Sequence, residues 1–303
     1  RVEGIAIYDL DGDGDLDVYA ASTQGDRLFL QVNPLEFTDA TARYGLTKAS
    51  SPSVSVADVN GDGRPDLLLG ADIWLGPHAG WTRHYTLHAE REDPVKMAAF
   101  ADVNGDGWPD VIVSQENGGL DLFLHGEKAD DGYTHATAQV GWNTNETLRK
   151  GNGFFFTGDW NGDHRLDVFY SEGSGLLLVQ DDQGQFAPVD HAHQFDFSTG
   201  GEQLGRTGAG CMAGLWWPGS VDLAFAHEAG MHLIVKQEDD LWDATYAANE
   251  MSEMNMGLVG GLAADLNADG RIDVYALNTE GYGNVFYLNR GYGSFMTPEK
   301  YAK

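Results

Sequence analysis

A nine-residue acidic pattern that occurs five times constrains this chain of 303 residues more than any other feature. It reads Asp-x-Asp/Asn-x-Asp-x-x-x-Asp, and its sixth position is glycine in four of the five copies. The copies lie at residues 9–17, 58–66, 102–110, 159–167 and 265–273. Self-similarity at a period of about 20–50 residues is the signature of stacked repeat units. The chain is therefore predicted to be one repeat array.

A degenerate copy lies in the long interval between the fourth and fifth full copies. Alignment with the fourth copy places Asp222 at the ninth position, whereas Gly214, Trp216 and Pro218 occupy the first, third and fifth positions. The chain thus holds six repeat units, of which the fifth has lost most of its acidic side chains.

Short apolar runs around each copy predict the strands. Val54–Ala57 precedes the second copy and Leu67–Leu69 follows it, while Arg27–Leu30 and Phe37–Thr41 are typical of a third and a fourth strand. Small four-stranded sheets bury their faces by packing around a common axis. We therefore predict an all-β fold, a single β-propeller domain over residues 1–303 with six four-stranded blades, seven being the alternative. The predicted units are residues 1–48, 49–92, 93–147, 148–204, 205–254 and 255–303.

Each full copy supplies the oxygen atoms that Ca²⁺ prefers as ligands. The first, third, fifth and ninth residues offer side-chain oxygens, and the seventh offers a backbone carbonyl. Carboxylates this close together repel one another without a cation, which a plain Asp-Gly turn does not explain. Mg²⁺ is less suited because it demands a stricter octahedron. We predict about five Ca²⁺ ions, held in the loops between the first and second strands of most blades.

The predicted ligands are Asp9, Asp11, Asp13, Asp15, Asp17, Asp58, Asn60, Asp62, Arg64, Asp66, Asp102, Asn104, Asp106, Trp108, Asp110, Asp159, Asn161, Asp163, Arg165, Asp167, Asp265, Asn267, Asp269, Arg271 and Asp273. The seventh residues of the loops, which contribute only a backbone carbonyl, are Asp15, Arg64, Trp108, Arg165 and Arg271. His164 stands where the other loops have glycine, so the fourth site is expected to be the weakest.

These loops, together with runs such as Arg27–Asn33 and Phe37–Thr41, resemble the FG-GAP/VCBS repeat family, which includes the integrin α-subunit propeller. The resemblance covers nearly the whole chain. It implies a propeller with calcium in the loop that joins the first two strands of a blade. Members include adhesion receptors, propeller lectins and polysaccharide lyase domains. The chain departs from the family in its degenerate fifth unit and in having six visible units where seven blades are common.

Charge and composition exclude several partner classes. The net charge of −29 argues against a nucleic-acid partner, because phosphate groups would be repelled. No apolar run is long enough for a membrane span, so membrane insertion is not expected. The single cysteine, Cys211, is predicted to be an inert thiol within a buried strand. We expect a secreted, periplasmic or cell-surface protein whose export signal is not in this chain.

The residue pattern favours a binding, adhesion or scaffold module for a glycan or protein partner over an enzyme. No catalytic residues are predicted, and the ligand-binding candidates are Trp142, Trp216 and Trp217, with packing between blades as the alternative role. His227 and His232 are one residue too far apart for the helical zinc-protease motif, and a hairpin is expected there. Two alternatives stay open: a secreted polysaccharide lyase or sugar-modifying enzyme that uses the propeller face, and a structural subunit that docks through its acidic surface.

Overall fold

The computed structural model describes residues 2–34, 36–47, 49–76, 80–88, 93–129, 131–150, 153–170, 176–189, 210–215, 221–227, 230–237, 240–244, 258–278, 284–291 and 294–296. These residues form six four-stranded antiparallel sheets, and in each sheet the strands lie side by side in chain order. We number the sheets as blades 1 to 6 along the chain.

The strands of blades 1 to 3 are β1 (Gly4–Tyr8), β2 (Asp17–Ala21), β3 (Arg27–Asn33), β4 (Glu36–Asp39), β5 (Val54–Ala57), β6 (Asp66–Leu69), β7 (Asp72–Leu75), β8 (Thr82–Thr86), β9 (Val95–Ala101), β10 (Asp110–Gln115), β11 (Gly119–His125) and β12 (Tyr133–His135). A 3-10 turn (Trp142–Thr144) and a short helix, α1 (Glu146–Lys150), follow blade 3. No helix in the described part of the chain has the length and apolar character that crossing a bilayer requires.

The strands of blades 4 to 6 are β13 (Phe155–Gly158), β14 (Asp167–Tyr170), β15 (Leu176–Gln180), β16 (Phe186–Pro188), β17 (Gly210–Ala213), β18 (Asp222–His227), β19 (Gly230–Gln237), β20 (Asp240–Asp243), β21 (Leu258–Ala264), β22 (Asp273–Asn278), β23 (Val285–Asn289) and β24 (Phe295–Met296). The strands of every blade fall within the corresponding predicted repeat unit. The second strand of every blade begins at the ninth residue of the acidic pattern, Asp222 of the degenerate copy included.

The chain divides into two compact units, residues 1–152 and 153–303, with three blades in each. Within the first unit the core lies between blades. Leu67 and Leu69 of β6 share a buried cluster with Leu28 of blade 1, while Leu68 shares another with Val111 of blade 3. Because side chains alternate along a strand, β6 is buried on both faces, which explains its continuous apolar sequence.

The second unit is built in the same way. Leu223 of β18 lies in a cluster with Phe156 of blade 4, and its neighbour Ala224 lies in a cluster with Val274 and Tyr287 of blade 6. Face-to-face packing of four-stranded meanders is the packing of propeller blades. The chain is therefore an all-β propeller, and the prediction of six four-stranded blades is confirmed.

Blade 3 carries one addition that the repeat pattern does not contain. The helix α1 lies over the first residue of β11, Gly119, which has φ +80°. A Cβ atom built on Gly119 would lie 1.7 Å from the carbonyl oxygen of Leu148, so only glycine allows this close approach.

Candidate metal centres

The first residue of each full loop organises the loop backbone. In loop 9–17, Asp9 Oδ1 accepts the N–H groups of Gly12 and Asp13 at 2.8 and 3.1 Å, and Asp9 Oδ2 accepts the N–H of Gly14 at 3.0 Å. In all five loops the first carboxylate accepts the N–H of the sixth residue at 2.8–3.0 Å. The N–H of the fifth residue donates to the same carboxylate at 3.0–3.2 Å. The five sequences thus fold into one shared turn.

This turn places two residues of each loop in the left-handed region. The sixth residues have φ between 66° and 95°, and His164 is the one that is not glycine, with φ 66°. The structure confirms that His164 adopts the conformation that glycine adopts elsewhere. The fourth residues have φ between 58° and 81°, and there Ala268 stands where the other loops have glycine. Ala268 was not predicted from the sequence to adopt this conformation, although the glycine at the fourth position of the other four loops indicates it.

The ninth carboxylate is fully buried and joins the loop to the third strand. The six ninth residues, Asp17, Asp66, Asp110, Asp167, Asp222 and Asp273, are 0–1% exposed. In each full loop, Oδ2 accepts the N–H of the second loop residue at 2.8–3.0 Å. Oδ1 accepts an N–H from near the end of the third strand at 2.7–3.0 Å.

The degenerate copy keeps the first of these bonds. The N–H of Leu215 donates to Asp222 Oδ2 at 2.9 Å, as the N–H of Trp160 donates to Asp167 at 2.8 Å in the fourth loop. The ninth residue therefore has a structural role that does not require the rest of the ligand set. This explains why Asp222 remains where the other acidic positions have been lost.

Loop 9–17 has the clearest geometry for a cation. Carboxylate oxygens of Asp9, Asp11 and Asp17 all lie within 4.8 Å of one another. The Oδ1 atom of Asp11 is buried and accepts no hydrogen bond. Since Ca²⁺ binds oxygen at about 2.3–2.6 Å, oxygens up to about 5 Å apart can share one ion. The residues present therefore fit Ca²⁺, which would supply the missing partner of Asp11.

The electrostatics of these carboxyls agree with this fit. Burial, followed by the charges of Asp13 and Asp17, raises the pKa of Asp11 above its ordinary value. Burial also raises the pKa of Asp66 and Asp110 to about 6, although backbone N–H groups partly oppose the shift. Each ionised form is thus disfavoured in a protein without a cation nearby, and a bound cation would relieve the penalty.

A comparison with protein-family models matches this loop arrangement. The model of the FG-GAP-like repeat matches residues 9–69 and 102–170, and these ranges contain the first four loops. The chain therefore carries FG-GAP-like repeats over these two ranges.

Solved structures support the same fold for the whole repeat array. A lectin from Agrocybe aegerita that recognises non-reducing terminal N-acetylglucosamine has 14% sequence identity and a TM-score of 0.61, covering 96% of this chain and 78% of that one. The BP39L lectin from Burkholderia pseudomallei has 16% identity and a TM-score of 0.61, covering 93% and 79%. BBS1N, solved in complex with ARL6DN, has 10% identity and a TM-score of 0.58, covering 98% and 82%. No curated protein matches the chain.

The described tryptophans differ in their exposure to solvent. Trp142, a predicted ligand-binding residue, is 1% exposed, so its ring is not available at the surface and serves packing. Trp81 is likewise buried in the cluster between blades 1 and 2. The other two candidates, Trp216 and Trp217, lie outside the described residues.

Trp108 is an aromatic residue whose ring the sequence analysis did not assign. The residue is partly exposed, and its ring stacks on His125 with 5.1 Å between the ring centroids. The same ring lies against Gly61 of the preceding loop, where a Cβ atom would lie 3.4 Å away. Trp108 therefore connects the second and third FG-GAP-like loops.

Two further sequence interpretations concern blade 5. The strands β18 and β19 pair with His227 opposite Gly230, so the histidines of the apparent zinc motif belong to a hairpin, as expected. Cys211 lies in β17 against the core between blades 5 and 6, and burial raises the pKa of its thiol to about 12. Cys211 and the rest of β17 are half-buried rather than fully buried as expected, while the raised pKa favours the less reactive thiol form.

Proposed function

We propose that this chain is a calcium-stabilised propeller that acts as a secreted, periplasmic or cell-surface binding module for a glycan or protein partner, glycan being favoured. The observation that carries the calcium assignment is loop 9–17, where three carboxylates converge within 4.8 Å and the Oδ1 atom of Asp11 has no partner. The other four full loops repeat its backbone hydrogen bonds.

Within loop 9–17, Asp9, Asp11, Asp13 and Asp17 would hold the ion by side-chain oxygens, and Asp15 by its carbonyl. Bound calcium supplies positive charge to these carboxylates. Asp17 also accepts the N–H of Gln31 in β3 at 3.0 Å. Fixing Asp17 therefore fixes the third strand as well as the loop, and the fold is expected to gain stability from the ion.

A glycan partner is supported by two observations. Two of the similar solved structures are lectins, which supports the class of a binding module on the same fold. In addition, Trp108 is partly exposed beside the second and third loops, and aromatic side chains at such positions are common in sugar-binding sites. The enzyme alternative gains no support from His125 and Tyr133, because both side chains are hydrogen-bonded to the backbone. His125 Nδ1 is bonded to the carbonyl of Gly126, and the hydroxyl of Tyr133 donates to the carbonyl of Pro109.

Calorimetric melting in Ca²⁺ and in a chelator tests the metal assignment. A site with Ca²⁺ at 100 times its Kd adds about 2.7 kcal/mol to the free energy of unfolding, so chelation should clearly lower the melting temperature. Asp11→Asn should reduce this calcium-dependent gain. A melting temperature that is the same in both conditions would contradict the metal sites.

A glycan array probed with the calcium-loaded protein tests the partner class. Binding should be lost in a chelator, and Trp108→Ala should weaken it while leaving the calcium-dependent melting temperature largely intact. A blank array together with a blank pulldown, both in Ca²⁺, would contradict a binding function.

A further inference from the structure

The loops of blades 4 and 6, residues 159–167 and 265–273, each contain a positively charged arginine side chain. Arg165 Nη2 lies 2.5 Å from Oδ2 of Asp163, the fifth residue of the same loop. Arg271 makes the same contact with Asp269 in the other loop. Both arginines are the seventh residue, a position that the metal assignment uses only for its carbonyl. Because guanidinium and carboxylate have opposite charges, each arginine neutralises one loop carboxylate.

Each arginine also reaches the third strand of its blade. Arg165 Nε donates to the carbonyl of Gln180 at 3.1 Å, and the N–H of Gln180 donates to Asp167 Oδ1 at 2.9 Å. Asp163, Arg165, Gln180 and Asp167 therefore form a continuous hydrogen-bonded link between the loop and β15.

The sixth blade repeats this link with different residues. Arg271 Nε donates to the carbonyl of Asn289 at 2.6 Å, and the N–H of Asn289 donates to Asp273 Oδ1 at 2.7 Å. The same link thus occurs in two blades, each time through an arginine at the seventh position of the loop.

Loop 9–17 has the opposite character. Its seventh residue is Asp15, which adds negative charge, and Asp11 Oδ1 has no hydrogen-bond partner there. The charge that arginine supplies internally in two loops must be supplied from outside in this one.

We infer that Arg165 and Arg271 are built-in counter-cations that hold their loops in shape without metal and lower the affinity of these loops for Ca²⁺ relative to loop 9–17. The affinity half of this inference rests on the proposed calcium function. The stability half does not, because it follows from the guanidinium contacts alone. The loops would therefore fill in order as the Ca²⁺ concentration rises, loop 9–17 before the two arginine loops.

Terbium luminescence can measure the fourth loop separately. Trp160 is the second residue of that loop, and its backbone N–H donates to Asp167 at 2.8 Å. Its indole should therefore sensitise Tb³⁺ bound in this loop. A Trp81→Phe/Trp108→Phe background removes the ring that donates to the carbonyl of Pro65 in the second loop and the tryptophan of the third loop. In this background, Arg165→Gln should lower the Tb³⁺ midpoint about tenfold, because a unit positive charge about 5 Å from the ion is removed. Arg165→Lys keeps the charge and should stay within about threefold of the parent.

Arg83→Gln is the matched control, since it removes the same charge from a pair with Asp72 on the outer strands of blade 2. It should leave the Tb³⁺ midpoint unchanged. In metal-free protein, Arg165→Gln should lower the melting temperature more than Arg83→Gln does. Arg271→Gln provides a second, independent variant, which should raise the affinity of one site in Ca²⁺ titration calorimetry.

The outcomes separate the two proposals. If the parent binds Ca²⁺ but Arg165→Gln and Arg271→Gln change neither ion affinity nor metal-free melting, the inference is overturned and the proposed function stands. If the parent binds neither ion in any loop, the proposed function and the affinity half of the inference are both overturned. A selective loss of metal-free stability in Arg165→Gln would still support the structural half.

Discussion

Asp222→Asn isolates the structural role of the ninth carboxylate, because the degenerate loop has no acidic residue at its first, third or fifth position. Asp222 is fully buried and accepts the N–H of Leu215 at 2.9 Å. Asparagine has nearly the same volume, so the change alters charge and hydrogen bonding and leaves packing intact. The asparagine oxygen can still accept this N–H, so about 1 kcal/mol is lost as the acceptor becomes neutral, and the buried amide donors add a desolvation cost of about 2 kcal/mol.

The expected loss is therefore about 3 kcal/mol in the free energy of unfolding, which corresponds to a fall of about 5 °C in melting temperature for a chain of this size. This loss should be the same in Ca²⁺ and in chelator, since no ion site depends on Asp222.

A pair of variants in the loop 102–110 provides the comparison. Asp110 is fully buried and accepts the N–H groups of Val103 and His125, both at 2.8 Å. Asp110→Asn should cost about 3 kcal/mol in metal-free protein. Asp106 is exposed, so Asp106→Asn should cost less than about 1 kcal/mol there. In Ca²⁺, both variants should lose the stability that an ion in this loop contributes.

Urea unfolding followed by tryptophan fluorescence, in chelator and in Ca²⁺, measures all three variants. The reasoning is refuted if the loss caused by Asp222→Asn depends on Ca²⁺. It is also refuted if Asp106→Asn and Asp110→Asn are equally destabilising in metal-free protein, because the buried and exposed carboxylates would then have no separate roles.

Three further predictions concern strain, titration and a second buried carboxylate. Ala268→Gly and His164→Gly should each raise the free energy of unfolding by about 1 kcal/mol, because both residues adopt a left-handed conformation; urea unfolding checks this, and unchanged stability would contradict the strain. The pKa of Asp66 and of Asp110 is about 6 in the folded protein and 3.8 in the unfolded chain, so the folded protein binds protons more tightly. The resulting gain in the free energy of unfolding is complete below pH 3.8 and is lost as the pH rises through about 6. Metal-free protein should therefore melt at a lower temperature at pH 7 than at pH 5, as measured by calorimetry. A higher melting temperature at pH 7 would refute the raised pKa of these two aspartates. Asp26→Asn should cost about 2–3 kcal/mol in urea unfolding, independently of Ca²⁺, because this buried carboxylate accepts four hydrogen bonds that an amide cannot all accept.

The strand arrangement was predictable because each blade repeats the same succession of apolar runs and turns. The continuous run Leu67–Leu69 is an example, since both faces of β6 pack against neighbouring blades. The burial of Trp142 was not predictable in this way. Its neighbours in sequence are polar, and it lies beside α1, which belongs to one blade only and leaves no repeated signal.

The two roles of the loop aspartates were equally hidden from the sequence. A metal ligand and an acceptor for buried N–H groups call for the same residue type, so the pattern alone assigns Asp17 and Asp13 to one class. Only the degenerate copy separates them, because Asp222 remains after the other acidic residues have gone. The role of the side chain at the seventh position could not be predicted for a different reason. The expected ligand there is a backbone carbonyl, which any residue supplies, so the sequence pattern gave no reason to expect the contact of Arg165 with Asp163.

Four of the six copies of the repeated loop therefore represent three electrostatic forms. Loop 9–17 concentrates carboxylates around an oxygen without a partner, the loops containing Arg165 and Arg271 carry their own guanidinium, and the copy ending at Asp222 has lost the acidic set. All three keep the buried ninth carboxylate that receives the N–H of the second loop residue. Since that carboxylate is buried, whereas Asp15, Arg165 and Arg271 are wholly or partly exposed, the blade can keep its fold while its demand for a cation changes. The response of the protein to Ca²⁺ is thus expected to differ from blade to blade, even though the blades share one architecture.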